Sequence, residues 1–424
     1  MNDELVEGDR VEVTVGVPAH GGHCVARIGG EHGQVVFVRH ALPGERVTAE
    51  ITELHKGYLR ADAVEIHEAS ADRVPAPCAY AHPGGCGGCD LQHVDPPAQL
   101  RWKTEVVQSL LTRIGGLTAD QVKDLSVRVE ALPGGPLGWR SRVRYAVDAA
   151  GRPGLLQHRS HQVVPIDRCL IAHPHLQELD VTGKLWPEAA SIEVVASTGG
   201  DVSVLTRPAG GPLLVSTEAD TLLDAPHGNA PTVLEGPAQV RERAVGREWL
   251  IPPDSFWQVH PAAADTLVTT VLELLKPAEG EVSWDLYGGA GLFAAALAER
   301  TKARTIVVES SQAGVLAART NLADLTGVEV VAAKVDIALT RRRITAPVDL
   351  VVLDPPRTGA GAKVVRALVA AQPRAIAYVA CDPAALARDV KTFASLGWRL
   401  AELRAFDCFP MTQHIESVAL LTPQ

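Results

Sequence analysis

The sequence predicts an α/β chain joined to an all-β amino-terminal part. Three observations carry this. Short extended runs parted by glycine and proline fill residues 8 to 66. A strand, a glycine turn and a helix follow one another from Val282 to Ala298, and helical and extended patterns alternate from there on. A strand-rich stretch with a cysteine cluster at its start lies between them.

The chain has 424 residues, too many for one core, so about two to four domains are expected. With 46% hydrophobic and 21% charged residues it reads as globular. No apolar run is long enough to span a bilayer, and the acidic start has no hydrophobic signal region, so a cytoplasmic chain without membrane contact is expected. The net charge of −10 argues against a strongly basic nucleic-acid binder, but a local basic face is what such binding requires. Seven cysteines in a cytoplasmic chain point to metal or catalysis rather than disulfides.

In the first segment, Val11–Val15, His23–Ile28, Gln34–Arg39, Glu45–Ile51 and Tyr58–Ile66 read as five strands of a small barrel, with Cys24 as core filling. Cys78, Cys86 and Cys89 follow on a glycine-rich loop, which lets the backbone turn tightly around a cofactor. Cys169 is the natural fourth ligand. Four thiolates suit an iron–sulfur cluster or structural zinc, and His82 and His93 leave a mixed zinc site open. Pro96 to Ile114 reads as an amphipathic helix, with Leu100, Val106, Val107, Leu110 and Leu111 on its apolar side. In Trp139–Tyr145, alternation puts Arg140, Arg142 and Arg144 on one strand face, a stripe that suits a phosphate backbone or a solvated surface. Residues 186 to 250 offer no chemistry, and Arg341-Arg-Arg reads as a solvated run.

The last third carries the chemistry. The glycines of Tyr287–Leu292 let backbone amides approach a ligand, and Glu309 ends the next strand about 20 positions on, where it can hold ribose hydroxyls. That pattern fits a nicotinamide dinucleotide or S-adenosylmethionine. Two more strands are expected to end at Asp336 and Asp354. Asp354-Pro-Pro-Arg is a stiff turn, of no use to hydride transfer but fitting beside a methyl donor. Cys381 ends the run Arg374–Ala380 just before a helix from Ala384 to Ala394. A thiol there stands where open α/β sheets bind ligands. His414 and Glu416 fall on one face near the carboxyl end.

The ordered set Phe256-Trp-Gln, Asp285-Leu-Tyr-Gly-Gly-Ala-Gly-Leu-Phe, Asp354-Pro-Pro-Arg-Thr-Gly, Tyr378-Val-Ala-Cys-Asp-Pro and Phe409-Pro-Met-Thr-Gln-His-Ile-Glu resembles the RNA uridine-5-methyltransferases. These are the tRNA and 23S ribosomal RNA enzymes that make 5-methyluridine. The first segment resembles a TRAM domain, an RNA-binding barrel of the OB-like kind. The resemblance implies a TRAM barrel over 1–67, a central domain over 68–95 and 125–254, and a Rossmann-like class I methyltransferase domain over 96–124 and 255–424. It implies Cys381 as nucleophile and Glu416 as base. Cofactor contacts carry over to Gln258, Tyr287, Glu309, Asp336 and Asp354. Cys78, Cys86, Cys89 and Cys169 map onto a [4Fe-4S] cluster. Phe256 becomes a stacking partner for a flipped base, and Arg140 and Arg142 join it as candidate RNA contacts. The expected partner is RNA, 23S ribosomal RNA before tRNA, and the expected state is a monomer. The chain departs from the pattern at its longer Cys78–Cys86 spacing, at Leu292 and at Gln413. Two readings compete: a nicotinamide-dependent oxidoreductase and a non-catalytic RNA-binding protein with a cluster.

Overall fold

The computed structural model describes residues 5–30, 32–209 and 231–424. The amino-terminal part forms one six-stranded sheet around its own core, where alternation turns Val36, Val38, Val47, Ala49, Ile51, Leu59 and Ala61 inward. The sheet curls on itself because the chain after the first strand turns back onto the third. Gly16 donates its N–H to the Val25 carbonyl at 2.7 Å, and Val25 donates to Val17 at 2.9 Å. The sixth strand, Pro18–Ala19, has two residues, too short to show a period. Cys24 is core filling as expected, 1% exposed.

The carboxyl-terminal part is built on an eight-stranded sheet. Its order is Val328–Ala332, Thr305–Glu309, Ser283–Leu286, Leu350–Leu353, Ala375–Ala380, Glu416–Pro423, Trp398–Asp407 and Val129–Ala131. The first five run parallel. Such strands are covered on both faces, which is why they read as continuous apolar runs. Trp284, Leu286, Ile306, Val308, Val351 and Tyr378 point to one core, and Val307, Val352, Ala377 and Val379 to the other. Glu416–Pro423 inserts antiparallel between Ala375–Ala380 and Trp398–Asp407.

Three expectations shift. Val129–Ala131 joins the large sheet beside Trp398–Asp407, and the hairpin Val240–Ile251 packs Trp249 and Ile251 into the methyltransferase-side core. The central domain therefore loses both ends of its expected 125–254 stretch. What remains is a six-stranded antiparallel sheet including Arg142–Val147 and Ala189–Ala196. Residues 210–230 of that stretch lie outside the described residues. The strand expected to reach Asp336 ends at Ala332, and a short helix Val335–Thr340 begins instead.

The helix Pro96–Arg113 holds as expected, but its buried face differs. Leu100 and Leu110 are only partly buried, while Gln99 and Lys103 are nearly inaccessible at 1% and 0%. These two polar residues, spaced i and i+4, share one face. Lys103 Nζ meets Asp407 Oδ1 at 2.6 Å and donates to the Phe409 carbonyl at 3.2 Å. Breaking a buried pair on one side leaves a charge without compensation. Lys103→Met should therefore lower stability by about 3–5 kcal/mol, seen by calorimetry as a fall in melting temperature. The double change Lys103→Met with Asp407→Leu should restore most of it.

Candidate active site

The strand Ala375–Ala380 delivers Cys381 to the carboxyl edge of the sheet, half-buried, and the helix Pro383–Ala394 follows. Asp382 caps that helix by accepting the Ala385 N–H. Burial pushes the Asp382 carboxyl up, but His20 of the amino-terminal barrel, 3.1 Å away, leads the interactions that hold it below the usual carboxylate range. The barrel thus reaches the rim of the thiol.

The neighbouring strand brings the second group. Ala380 pairs with Ser417 in the antiparallel ladder, so Cys381 and Glu416 stand one step further along the same register. Residues opposite each other in such a ladder project to one face about 5 Å apart. Glu416 is 3% exposed. It also pairs with Phe406 on its other side, and its charge bears on the buried Cys408 thiol, which burial holds far above the usual thiol range. A half-buried thiol and a buried carboxylate are therefore placed together by backbone pairing.

Beside them lies a ring of groups on the glycine turn. Tyr287 sits in the left-handed region at φ 62°, a strained position for a bulky residue that persists only when its surroundings over-determine it. Gly288 is obligatory on space alone, since a Cβ there would lie 2.6 Å from the Val307 side chain. Glu309 stands at its strand end and accepts the Gly289 N–H at 2.9 Å. Asp285, fully buried, accepts the Ala294 N–H at 2.8 Å and leaves its other oxygen unpaired. Burial pushes the Asp285 carboxyl up to about 7, with the Glu309 charge adding to it. Burial, and then the Asp285 charge, push Asp354 up as well. This acidic well favours a ligand that carries positive charge. Asp336, in the first turn of its short helix, pairs with Lys363 at 2.9 Å. Burial raises the Tyr287 hydroxyl to about 12, and the Asp336 charge reaches it too. Gln258 is buried and Phe256 beside it is 40% exposed.

The Asp354-Pro-Pro-Arg turn is tied to the thiol's helix by a residue that sequence reasoning missed. Asp389 accepts the Tyr378 hydroxyl at 2.7 Å and the Ala360 N–H at 2.8 Å. Nothing in its local pattern marks it, because its partners come from two other elements, the strand of Tyr378 and the start of the helix Gly361–Ala371. Arg357 reaches His414 Nδ1 at 3.3 Å.

The arginine stripe requires correction. Arg142 is 2% exposed, pairs with Glu242 at 2.9 Å, and donates to the Pro253 and Ser255 carbonyls. Arg144 pairs with Glu193. Arg140 is buried against the cysteines. None of the three offers its charge to a phosphate backbone. Arg142 instead fastens the segment that leads into Phe256 and Gln258.

Cys78, Cys86, Cys89 and Cys169 line one recess with Tyr80, Arg140 and Ile171, and all are free thiols. Burial pushes the Cys86 thiol up to about 12 and raises Cys89 and Cys169. Among the described residues, no three ligating side chains converge tightly enough to hold a single ion. The mixed zinc site with histidine is not formed: neither His82 nor His93 lines the recess, and His93 lies against His40 with ring centres 5.9 Å apart. No helix among the described residues is long and apolar enough to cross a membrane.

Residues 4–64 match the TRAM domain family, and residues 238–424 match the family described as tRNA (Uracil-5-)-methyltransferase. The chain is 49% identical to an "Uncharacterized RNA methyltransferase" of Streptomyces avermitilis, over 98% of this chain and 99% of that one. It is 35% identical to the 23S rRNA (uracil(1939)-C(5))-methyltransferase RlmD of Chromohalobacter salexigens, over 95% of this chain and 87% of that one. The crystal structure of the Pyrococcus abyssi tRNA (uracil-54, C5)-methyltransferase with S-adenosyl-L-homocysteine superposes with a TM-score of 0.70 at 25% identity, covering 96% of this chain and 99% of that one. These likenesses remove the oxidoreductase and non-catalytic readings. The protein belongs to the family of TRAM-bearing RNA uracil-5-methyltransferases and is an enzyme of that class.

Proposed function

We propose that this enzyme converts uridine to 5-methyluridine in RNA with S-adenosylmethionine, through a covalent adduct at Cys381. The observation that carries this is the register of Cys381 with Glu416. C5 of uracil is a poor nucleophile. The Cys381 thiolate adds to C6, its sulfur forming the new bond, and the electron pair passes into an enolate. C5 then takes the methyl group that the cofactor's sulfonium supplies. Glu416 removes the remaining C5 proton, the C5–C6 double bond reforms, and the Cys381 sulfur leaves as thiolate. The target base must leave its stack to reach this edge, and exposed Phe256 is the stacking partner.

For the cofactor, the amides of the glycine turn and the acidic well of Asp285 and Asp354 suit a ligand bearing sulfonium and ammonium charge. Glu309 serves the ribose, Asp336 and Tyr287 the adenine side, and Gln258 the reacting end. Cys381→Ala should abolish methyl transfer to RNA while cofactor binding, followed by calorimetry, persists. Glu416→Gln should leave a slow-migrating protein–RNA adduct on a denaturing gel. Activity surviving in the alanine variant contradicts the mechanism.

The RNA we assign is 23S ribosomal RNA, supported by the 35% likeness to an enzyme of that substrate along nearly the whole chain. The tRNA alternative is favoured by the archaeal structure. A strain lacking this gene should lose one 5-methyluridine from 23S RNA, and loss from tRNA instead would reverse the assignment. We further propose that it works in the cytoplasm as a monomer.

We assign the cysteine recess to a [4Fe-4S] cluster held by Cys78, Cys86, Cys89 and Cys169. What supports this is that all four thiols line one recess, a donor set that suits such a cluster. The cluster would cross-link the central domain, and no step of the reaction needs it. Anaerobically purified protein should carry about four iron and four sulfide per chain, and Cys169→Ser should lose both. Stoichiometric zinc in their place contradicts the assignment.

A further inference from the structure

The loop Phe409–Ile415 leads directly into Glu416, and three parts of the molecule grip it. Its third residue, Met411, has φ 68° in the left-handed region, which a methionine holds only under external constraint. The Met411 carbonyl accepts the N–H of Asp90 at 3.0 Å and of Leu91 at 2.9 Å. Its own N–H donates to Gln99 Oε1 at 3.0 Å. Asp90 does more. Its Oδ2 accepts the Gln413 N–H at 3.0 Å, and its Oδ1 accepts Arg39 Nη2 of the barrel at 3.3 Å. The barrel also closes on it through Gly22, where a Cβ would lie 2.8 Å from the Asp90 Cβ. The neighbouring Gly21 donates its N–H to the Gln413 side chain at 3.2 Å. Asp90 is 7% exposed and directly follows Cys89 of the cysteine recess.

Asp90 is thus the one side chain joined to the barrel, to the cysteine loop and to the base-bearing loop together, among the hydrogen bonds described. We propose that Asp90 is a positioning residue for the proton-removing step: it fixes the strained loop so that the Glu416 carboxylate is aimed at C5. Its side chain stands outside the reacting groups and acts on the loop through the Gln413 N–H, braced by Arg39, while its backbone N–H holds Met411 in every variant. This rests on the uridine reading above. Its consequence is specific to one step. Addition of Cys381 and methyl transfer precede proton removal, so they survive a loosened loop. Elimination does not, and the covalent adduct accumulates.

The test uses the full-length enzyme and total RNA from a strain lacking this gene. First-turnover methyl incorporation, steady-state rate and covalent adduct are measured together for wild type, Asp90→Ala, Asp90→Asn and Arg39→Gln. Asp90→Ala should lower the steady-state rate about tenfold or more, with first-turnover incorporation and KM for RNA held within about twofold. Its adduct should persist on a denaturing gel. Asp90→Asn keeps an oxygen for the Gln413 N–H and should recover most of the rate. Arg39→Gln should fall between them and carries the test if the alanine variant does not fold. A wild-type rate in Asp90→Ala, a slowed rate without adduct, or a change in KM alone overturns the proposal. Wild-type enzyme that transfers no methyl to this RNA overturns the uridine reading itself, a result distinct from the others.

Discussion

The register between Ala375–Ala380 and Glu416–Pro423 is the constraint on which the rest of the site depends. Five parallel strands place their carboxyl ends at one edge, which gathers the groups of the glycine turn. A parallel neighbour to Ala375–Ala380 would begin at the far edge and put its first residue away from Cys381. Because the last strand runs the other way, its first residue lies beside the last residue of its partner. A slip of one residue would turn Glu416 to the opposite face. Burial on both faces prevents that slip, since Val379, Val418 and Leu421 all lie in dense cores.

That register leaves a difficult approach. The chain must reach Glu416 through a loop that carries a left-handed methionine and ends in a buried carboxylate. The energy to hold it comes from below and from the side. Lys103 fastens the loop's entry at Asp407 and Phe409, and Gln99 its middle at Met411. Both sit on a helix that sequence order places about 300 residues away, which explains why residues 96–113 belong with the carboxyl-terminal sheet. The helix, the cysteine loop and the barrel are parts of one support for a single short segment.

Much of this was legible in the sequence. Helices at 96–113 and 383–394 follow from periodicity and proline placement, and the strand ends at Glu309 and Ala380 follow from apolar runs meeting polar residues. Cys381, Glu416, Glu309 and the glycine turn lie at one edge of the sheet. What was not legible is long-range pairing. Arg140, Arg142 and Arg144 alternate as a surface stripe would, yet Glu242 and Glu193 from distant strands take up Arg142 and Arg144, and Arg140 is buried at the cysteine recess. Asp336 looked like a strand end because Val328–Ala332 runs on through apolar and small residues, whereas the helix start at Val335 depends on packing against Gly361–Ala371. Polar residues on a buried helix face, such as Lys103, were the available signal for the support, and only their partners make it readable.

The central claim is that Cys381 bonds to uracil C6 and that proton removal from C5 releases it. RNA containing 5-fluorouridine tests this directly, because fluorine at C5 cannot leave as a proton. Enzyme incubated with such RNA and S-adenosylmethionine, then digested and weighed by mass spectrometry, should show the Cys381 peptide carrying a fluorouridine nucleotide with one added methyl group. An adduct on another residue, or none while ordinary RNA is methylated, would contradict the account.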